Sequence, residues 1–425
     1  MKRKLLLMAG LLVAAAMLFA GGQRSSGTTL TVWDFKYQEE ITGRAFKEMD
    51  EMFMAQNPGV TINHVAQPEL NFYQLLMSAF VAKNDLDVVI MHVDERAWNL
   101  KDFFENLDPY ISAELNSYAS VARKAVSTSQ NPNRDIKMLP LTTQGIGIYY
   151  NKANFIKAGL DPNRIPSSWN DFLAACEALK RAGITPIIMG NAGSPIGIDF
   201  FYRMILVTLY GDRIEGFRNG TANYTDPEFR QATLMIKELY DKGYVNVENG
   251  SLNYFMDAIE MFKAGQGGFF PGLLSDIAHW KDFGEAFGYN NLGYFSAPVA
   301  QGAANPNGQL VQGAGLGMVV VNYGRNKDLA AKYVKHYTSG AGGKVFMDAS
   351  GAIVPNSTIP IDRSNTMLSS ILEKIEKYAT SDIMVLVPGG IVADVQNFMY
   401  LYFVSNEISL DDYIRQVQQL YRNAL

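Results

Sequence analysis

Cysteine is nearly absent. The 425-residue chain has one, Cys176, so no disulfide can form within it and its cores alone must hold it together. Histidine is scarce as well: His64, His92, His279 and His336 stand far apart with none of the spacings a metal site requires, and no metal or cofactor is expected. There is no nucleophile elbow and no phosphate-binding glycine loop. Gly313-x-Gly315 lacks a third glycine opening a helix, which argues against a dinucleotide. Positive charge is in deficit, with 37 Lys and Arg against 42 Asp and Glu, so no basic field is available for nucleic acid or an anionic membrane. Long apolar runs are missing except at residues 5–20, which are too short for a comfortable membrane span. Preceded by Lys2-Arg3-Lys4 and ending in small residues, this run reads as a signal peptide over residues 1–20, with a retained anchor as the other reading. Residues 21–28 read as a flexible tether.

What is present is alternation. A chain this long, with 48% hydrophobic residues, can bury two sizeable cores. Residues 29–34 alternate as a strand, 39–56 have helical periodicity through Ile41, Phe46, Met49 and Phe53, and 60–65 form a second strand after the turn Asn57-Pro58-Gly59. A helix over 71–82 leads to a buried strand over 86–91. Strand, helix, strand is the unit of a mainly parallel sheet. In residues 144–150, Gly145 and Gly147 alternate with Ile146 and Ile148 and the strand ends in Tyr149-Tyr150. Asn151-Lys152 stops it, Gly159 closes a short helix, and Ser167 or Ser168 caps the next. Further on, 184–189, 292–298 and 311–321 read as strands, 198–210 as a buried helix, and 366–425 as a helical tail. Ligands of open α/β sheets gather outside the carboxyl ends of strands. That nominates Trp33, Asp34, Lys36 and Tyr37 after the first strand and His92, Asp94, Glu95 and Arg96 after the third, against the plainer reading of solvated loop charges or caps. Trp98 reads as core.

The order Tyr149-Tyr150-Asn151-Lys152, Ala158-Gly159, then Pro166 and Ser168-Trp169 resembles the extracytoplasmic solute-binding proteins of ABC transporters. The match is best to the family 1 carbohydrate binders, which include the maltose-binding proteins. Residues 224–229, 256–272, 327–339 and 349–355 agree with it. The resemblance implies an α/β, two-lobe periplasmic-binding-protein fold of type II-like form, each lobe a mainly parallel sheet flanked by helices, with multiple hinge crossings. Lobe 1 would comprise 29–141 plus 310–350, and lobe 2 142–309 plus 351–425. It implies a monomeric binder, not an enzyme, that captures a carbohydrate ligand and delivers it to the transmembrane permease. In similar proteins Asp94 would accept a sugar hydroxyl. Gln144 stands where maltose-binding proteins carry a carboxylate, which suggests a different sugar, since an amide both donates and accepts. Asn191, Ser194 and Asp199 would contribute from the loop and helix after a lobe 2 strand, and Gly313 and Gly315 would lie beside the ligand. Phe270 or Trp280 would replace the usual stacking tryptophan, whereas Trp169 would be structural. Pro388-Gly389-Gly390 would approach the cleft. Leu86 replaces a usual proline, and Gly21 stands where lipoprotein relatives have cysteine. A non-sugar polar solute such as a glycerol-phosphate compound, a cleft glycosidase using Asp34, Asp94 and Asp199, or a passive adhesin stay open as alternatives.

Overall fold

Leu30 and Val32, on one face of the alternating residues, point into a core, and the strand they form, β1 (Thr28–Asp34), has parallel neighbours on both sides. The computed structural model describes residues 27–275, 278–305, 310–380, 387 and 391–425; the signal segment, all but the last residues of the tether, and Pro388-Gly389-Gly390 lie outside them. Helix α1 (Glu40–Gln56) buries Phe46, Met49 and Phe53 along one stripe and leaves Ile41, in its first turn, exposed. Next come β2 (Val60–Ala66), α2 (Phe72–Ala82), β3 (Val88–His92), α3 (Ser120–Ala125) and the short β4 (Leu139–Pro140).

The chain then crosses over as β5 (Thr143–Asn151). Asn151 ends this strand and caps α4 (Lys152–Lys157), its side chain accepting from the amides of Ala153 and Asn154. Ser168 caps α5 (Trp169–Arg181): its Oγ accepts from the Asp171 amide at 3.1 Å and donates to the Asp171 carboxylate at 2.8 Å. β6 (Thr185–Ile187), α6 (Ile196–Tyr210), α7 (Pro227–Asp241), β7 (Gly267–Leu274), α8 (His279–Phe287), β8 (Leu292–Phe295) and β9 (Leu310–Ala314) follow. The chain returns as β10 (Leu316–Val320), α9 (Lys327–Thr338) and α10 (Gly340–Ser350), and finishes with α11 (Thr366–Tyr378), β11 (Ala379–Thr380), α12 (Val392–Met399) and α13 (Leu410–Ala424).

Two sheets result. The first has the order β2-β1-β3-β10-β4, the second β11-β9-β5-β7-β6 with β8 also on β5. In the first, β1, β2 and β3 are parallel, and β10 runs antiparallel because it comes back from the other lobe. In the second, β5 is antiparallel to β7, β8 and β9, because it runs away from the junction while they run towards it. β9 belongs to this second sheet and β10 to the first, so residues 311–321 form two strands, parted at Gly315, rather than one. Each sheet has its own core: one gathers Phe46, Val88 and Met318, the other Tyr149, Phe201 and Phe269. A Cβ at Gly147 of β5 would lie 2.3 Å from the buried Tyr294 ring, so any larger residue there must displace it.

Candidate functional site

Three passages between the lobes run side by side and are bonded to one another. The Leu141 amide donates to the Leu316 carbonyl at 2.8 Å, the Gly315 amide to the Thr142 carbonyl at 3.0 Å, and the Thr143 amide to the Ile353 carbonyl at 2.8 Å. Thr142 is fully buried, and its Oγ1 accepts from the Leu316 amide at 2.8 Å. Next to this junction lie the carboxyl ends of the first sheet, for the Val93 amide donates to the Gly315 carbonyl at 2.8 Å and Leu316 pairs with His92.

Here the structure gathers four of the nominated residues, Gln144, Gly313, Gly315 and His92. Gln144, half-buried, pairs with Gly313 across the β5–β9 ladder. A Cβ at Gly313 would meet open space, whereas one at Gly315 would lie 2.7 Å from Thr142 Oγ1 and 3.0 Å from Gln144 Oε1, so a side chain has room at the first glycine and not at the second. In the first sheet Trp33 is half-buried next to the end of β1, His92 ends β3, and Asp94 follows it by two residues. Asp94 accepts from the Arg96 amide at 2.9 Å and from its guanidinium Nε at 2.9 Å, and the guanidinium lies 4.5 Å over the Tyr73 ring. The Tyr73 hydroxyl stands 3.2 Å from His92 Nδ1 and accepts from the His92 amide at 3.1 Å. Burial, and then the Asp94 charge, pushes the Tyr73 phenol up, so it stays protonated and able to donate. Tyr73 was not among the nominated residues; its place one residue into α2 carries no signal in the sequence.

The remaining nominees face elsewhere. Asp34 is fully buried: its carboxylate turns away from solvent, accepts from the Tyr37 amide at 3.1 Å, and is pushed up to about 6, chiefly by burial, with His64 and the Tyr37 and Lys36 amides opposing. Alternation explains this, since Asp34 and Trp33 leave opposite faces of one strand. Tyr37 stacks on His64 with centroids 3.9 Å apart, and Lys36 is buried against Glu39 at 3.0 Å. In the second lobe Asn191 is fully buried, donating to the Asn249 carbonyl oxygen of its side chain at 2.8 Å and accepting from the Ile198 amide at 3.1 Å. Ser194 donates to Gln396 at 2.8 Å, and Asp199 pairs with Arg203 at 3.4 Å within α6. Phe270 offers no stacking face: it is fully buried among Tyr254, Phe262 and Phe283. Trp280 is also buried, and its Nε1 donates to the Gly351 carbonyl at 2.9 Å, bracing the third passage. Trp169 packs in the core and donates to Glu238 at 3.0 Å.

Among the described residues an ion pair bridges the lobes. Lys124 of α3, whose neighbours Ala122 and Ala125 belong to the first core, meets Glu215 at 2.6 Å, whose neighbours Ile214 and Phe217 belong to the second. Among the described residues no group of three or more His, Cys, Asp or Glu is placed to hold a metal, and no helix is long and apolar enough to cross a membrane.

Residues 37–344 match the family described as bacterial extracellular solute-binding protein. A binding protein of Brucella abortus (strain 2308) is 27% identical over 270 residues, a match that spans 61% of this chain and 61% of the relative's length. The multiple sugar-binding protein of Streptococcus mutans is 21% identical over 379 residues, 84% of this chain and 82% of that protein. Among solved structures, a chitin oligosaccharide binding protein superposes with a TM-score of 0.78 at 19% identity, covering 94% of this chain and 99% of that one. A sugar transporter protein from Bacillus licheniformis in complex with stachyose gives a TM-score of 0.71 at 16% identity, covering 94% and 100%. At such identities the structural likeness speaks for the fold alone.

Proposed function

The chain belongs to the bacterial extracellular solute-binding protein family, and from that premise we propose that it is the extracytoplasmic substrate-binding component of an ABC importer, capturing a mono- or oligosaccharide between its lobes. The observation that carries the reading is the meeting of His92 of the first lobe with Gln144 and the glycines Gly313 and Gly315 where the passages meet, with Trp33 near the end of β1 and Asp94 just after β3 in that first lobe. Such a set suits a polyhydroxylated ring. Carboxylate, amide and imidazole groups exchange hydrogen bonds with hydroxyls, and an indole face lies well against C–H groups. Relatives named for sugars support the ligand class.

Capture works by hinge closure. Groups from both lobes bind the ligand together, so the ligand favours the closed arrangement over the open one by the contacts that only closure completes. The closed form is then read by the membrane permease, and the protein acts as a monomer exported by the signal peptide at residues 1–20. A thermal-shift screen against maltose, stachyose, chitin oligosaccharides and glycerol 3-phosphate tests the ligand class. A rise in melting temperature with a sugar supports it, and a rise with glycerol 3-phosphate alone replaces it. The paired substitution Asp94→Ala and Gln144→Ala is expected to abolish the shift while moving the ligand-free melting temperature by no more than about 4 °C. Undiminished binding in that variant removes both residues from the site. Recovery of intact sugar after prolonged incubation separates a binder from a glycosidase.

A further inference from the structure

We propose that Tyr73 is a positioning residue of the candidate site, fixing His92 through its hydroxyl and Asp94, by way of Arg96, through its ring. The proposal rests on the proposed function in taking His92 and Asp94 as ligand contacts; the arrangement itself is read without ligand. Tyr73 is the second residue of α2, beside Phe72, whose fully buried ring it meets edge-on at 5.3 Å. Phe72 and Leu76 fasten the start of this helix to the first core, so the Tyr73 side chain is carried by a rigid element rather than by a loop.

The hydroxyl acts where β3 ends. Successive amides of a strand point to opposite sides. The Val93 amide donates to Gly315 of the returning passage, so the His92 amide turns the other way, where the ladder with β1 has already stopped at Val89. The Tyr73 oxygen accepts from that amide at 3.1 Å and stands 3.2 Å from Nδ1 of the same residue. Burial keeps the phenol protonated, and among the described residues Nδ1 is the acceptor within reach of its hydrogen. A neutral imidazole that accepts at Nδ1 carries its hydrogen on Nε2. His92 therefore meets a ligand oxygen as a donor, with its ring plane held by Phe35 stacked at 4.7 Å. The ring of Tyr73 does separate work. The Arg96 guanidinium lies 4.5 Å over it, and Arg96 in turn donates from Nε to Asp94 Oδ2 and from its amide to Oδ1, each at 2.9 Å. Both carboxylate oxygens are thus oriented by a residue that leans on Tyr73.

Nitrogen-15 NMR of the ligand-free protein at about pH 8, above the usual imidazole range, reads the tautomer, with His92→Gln assigning the signal. The native protein is expected to show His92 in the Nε2–H form. Tyr73→Phe, which keeps the ring beneath Arg96, should turn it into a mixture of both forms and leave the Arg96 Nε–H signal in place. Tyr73→Leu should move both signals. Should Tyr73→Leu fail to fold, the native tautomer and its response in Tyr73→Phe decide alone. An Nδ1–H form in the native protein, or a His92 signal unchanged in Tyr73→Phe, overturns the proposal. By calorimetry with maltose, stachyose and chitobiose, Tyr73→Phe is expected to raise the Kd of the sugar that binds about fivefold. A Kd that does not move also overturns it. Tyr73-dependent signals in a protein that binds none of the three sugars uphold the positioning and count against the sugar reading alone.

Discussion

At the scale of single residues, the polar side chains divide by whether they are used inside a lobe or left at the junction. Gln144 stays half-buried at the junction and Asp94 is held by its near neighbour Arg96, while Asn191 bonds Asn249, far away in sequence, and Asp34 faces His64 at 3.7 Å. No local pattern distinguishes the two kinds, so the residues around strand ends were legible as a set but not one by one. Asp34 has a consequence for stability. Its carboxyl is raised from 3.8 to about 6 in the folded protein, so the folded state holds a proton that the unfolded chain has already released. Its contribution therefore falls as pH rises from about 4 through about 6 and stays reduced above that. Asp34→Asn is expected to flatten this part of the stability profile, on the order of 2 kcal/mol, in urea unfolding measured at pH 4.5 and 7.5.

At the scale of elements, strand and helix ends follow local chemistry closely. Asn151 stops β5 and caps α4, Gly159 ends that helix with φ at +75°, and Ser168 with Asp171 opens α5, as the side chains at those positions require. The direction of β5 against its neighbours was not legible, because pairing depends on which lobe a strand enters from. The crossing itself is held by a threonine. Thr142→Val preserves the shape of the side chain and deprives the buried Leu316 amide of its acceptor at 2.8 Å. A loss of about 1–3 kcal/mol in unfolding free energy is expected, against under about 0.5 kcal/mol for an exposed control such as Thr29→Val.

At the scale of the whole molecule, two cores are joined by three passages bonded to one another, and the proposed closure would bend the chain there. The Lys124–Glu215 pair spans the lobes beside that place. Each side chain is about a third exposed, at 34% and 36%, so the pair contributes little to folding, on the order of 0.5 kcal/mol. Its effect on an opening equilibrium is proportionally larger, since that equilibrium is itself balanced within a few kcal/mol. Glu215→Gln is expected to raise the sugar Kd about twofold in low salt, and by calorimetry in 1 M NaCl the difference should vanish. An unchanged Kd at low salt would leave the pair without a part in closure.

By itself the chain's order of residues determined several strand and helix ends, that there are two cores, and which family the chain resembles, but not that residues 311–321 divide into two strands of different sheets. Periodicity, caps and motif spacing act over a few residues, so they can be read in a row. Only the tertiary structure decided that Phe270 is core, that Trp280 braces a passage, and that Asp34 looks inward to His64, whose other ring nitrogen meets the Asp50 that Tyr333 bonds. Those outcomes turn on contacts across as many as 283 residues, and a side chain's surroundings exist only once such distant segments have packed together.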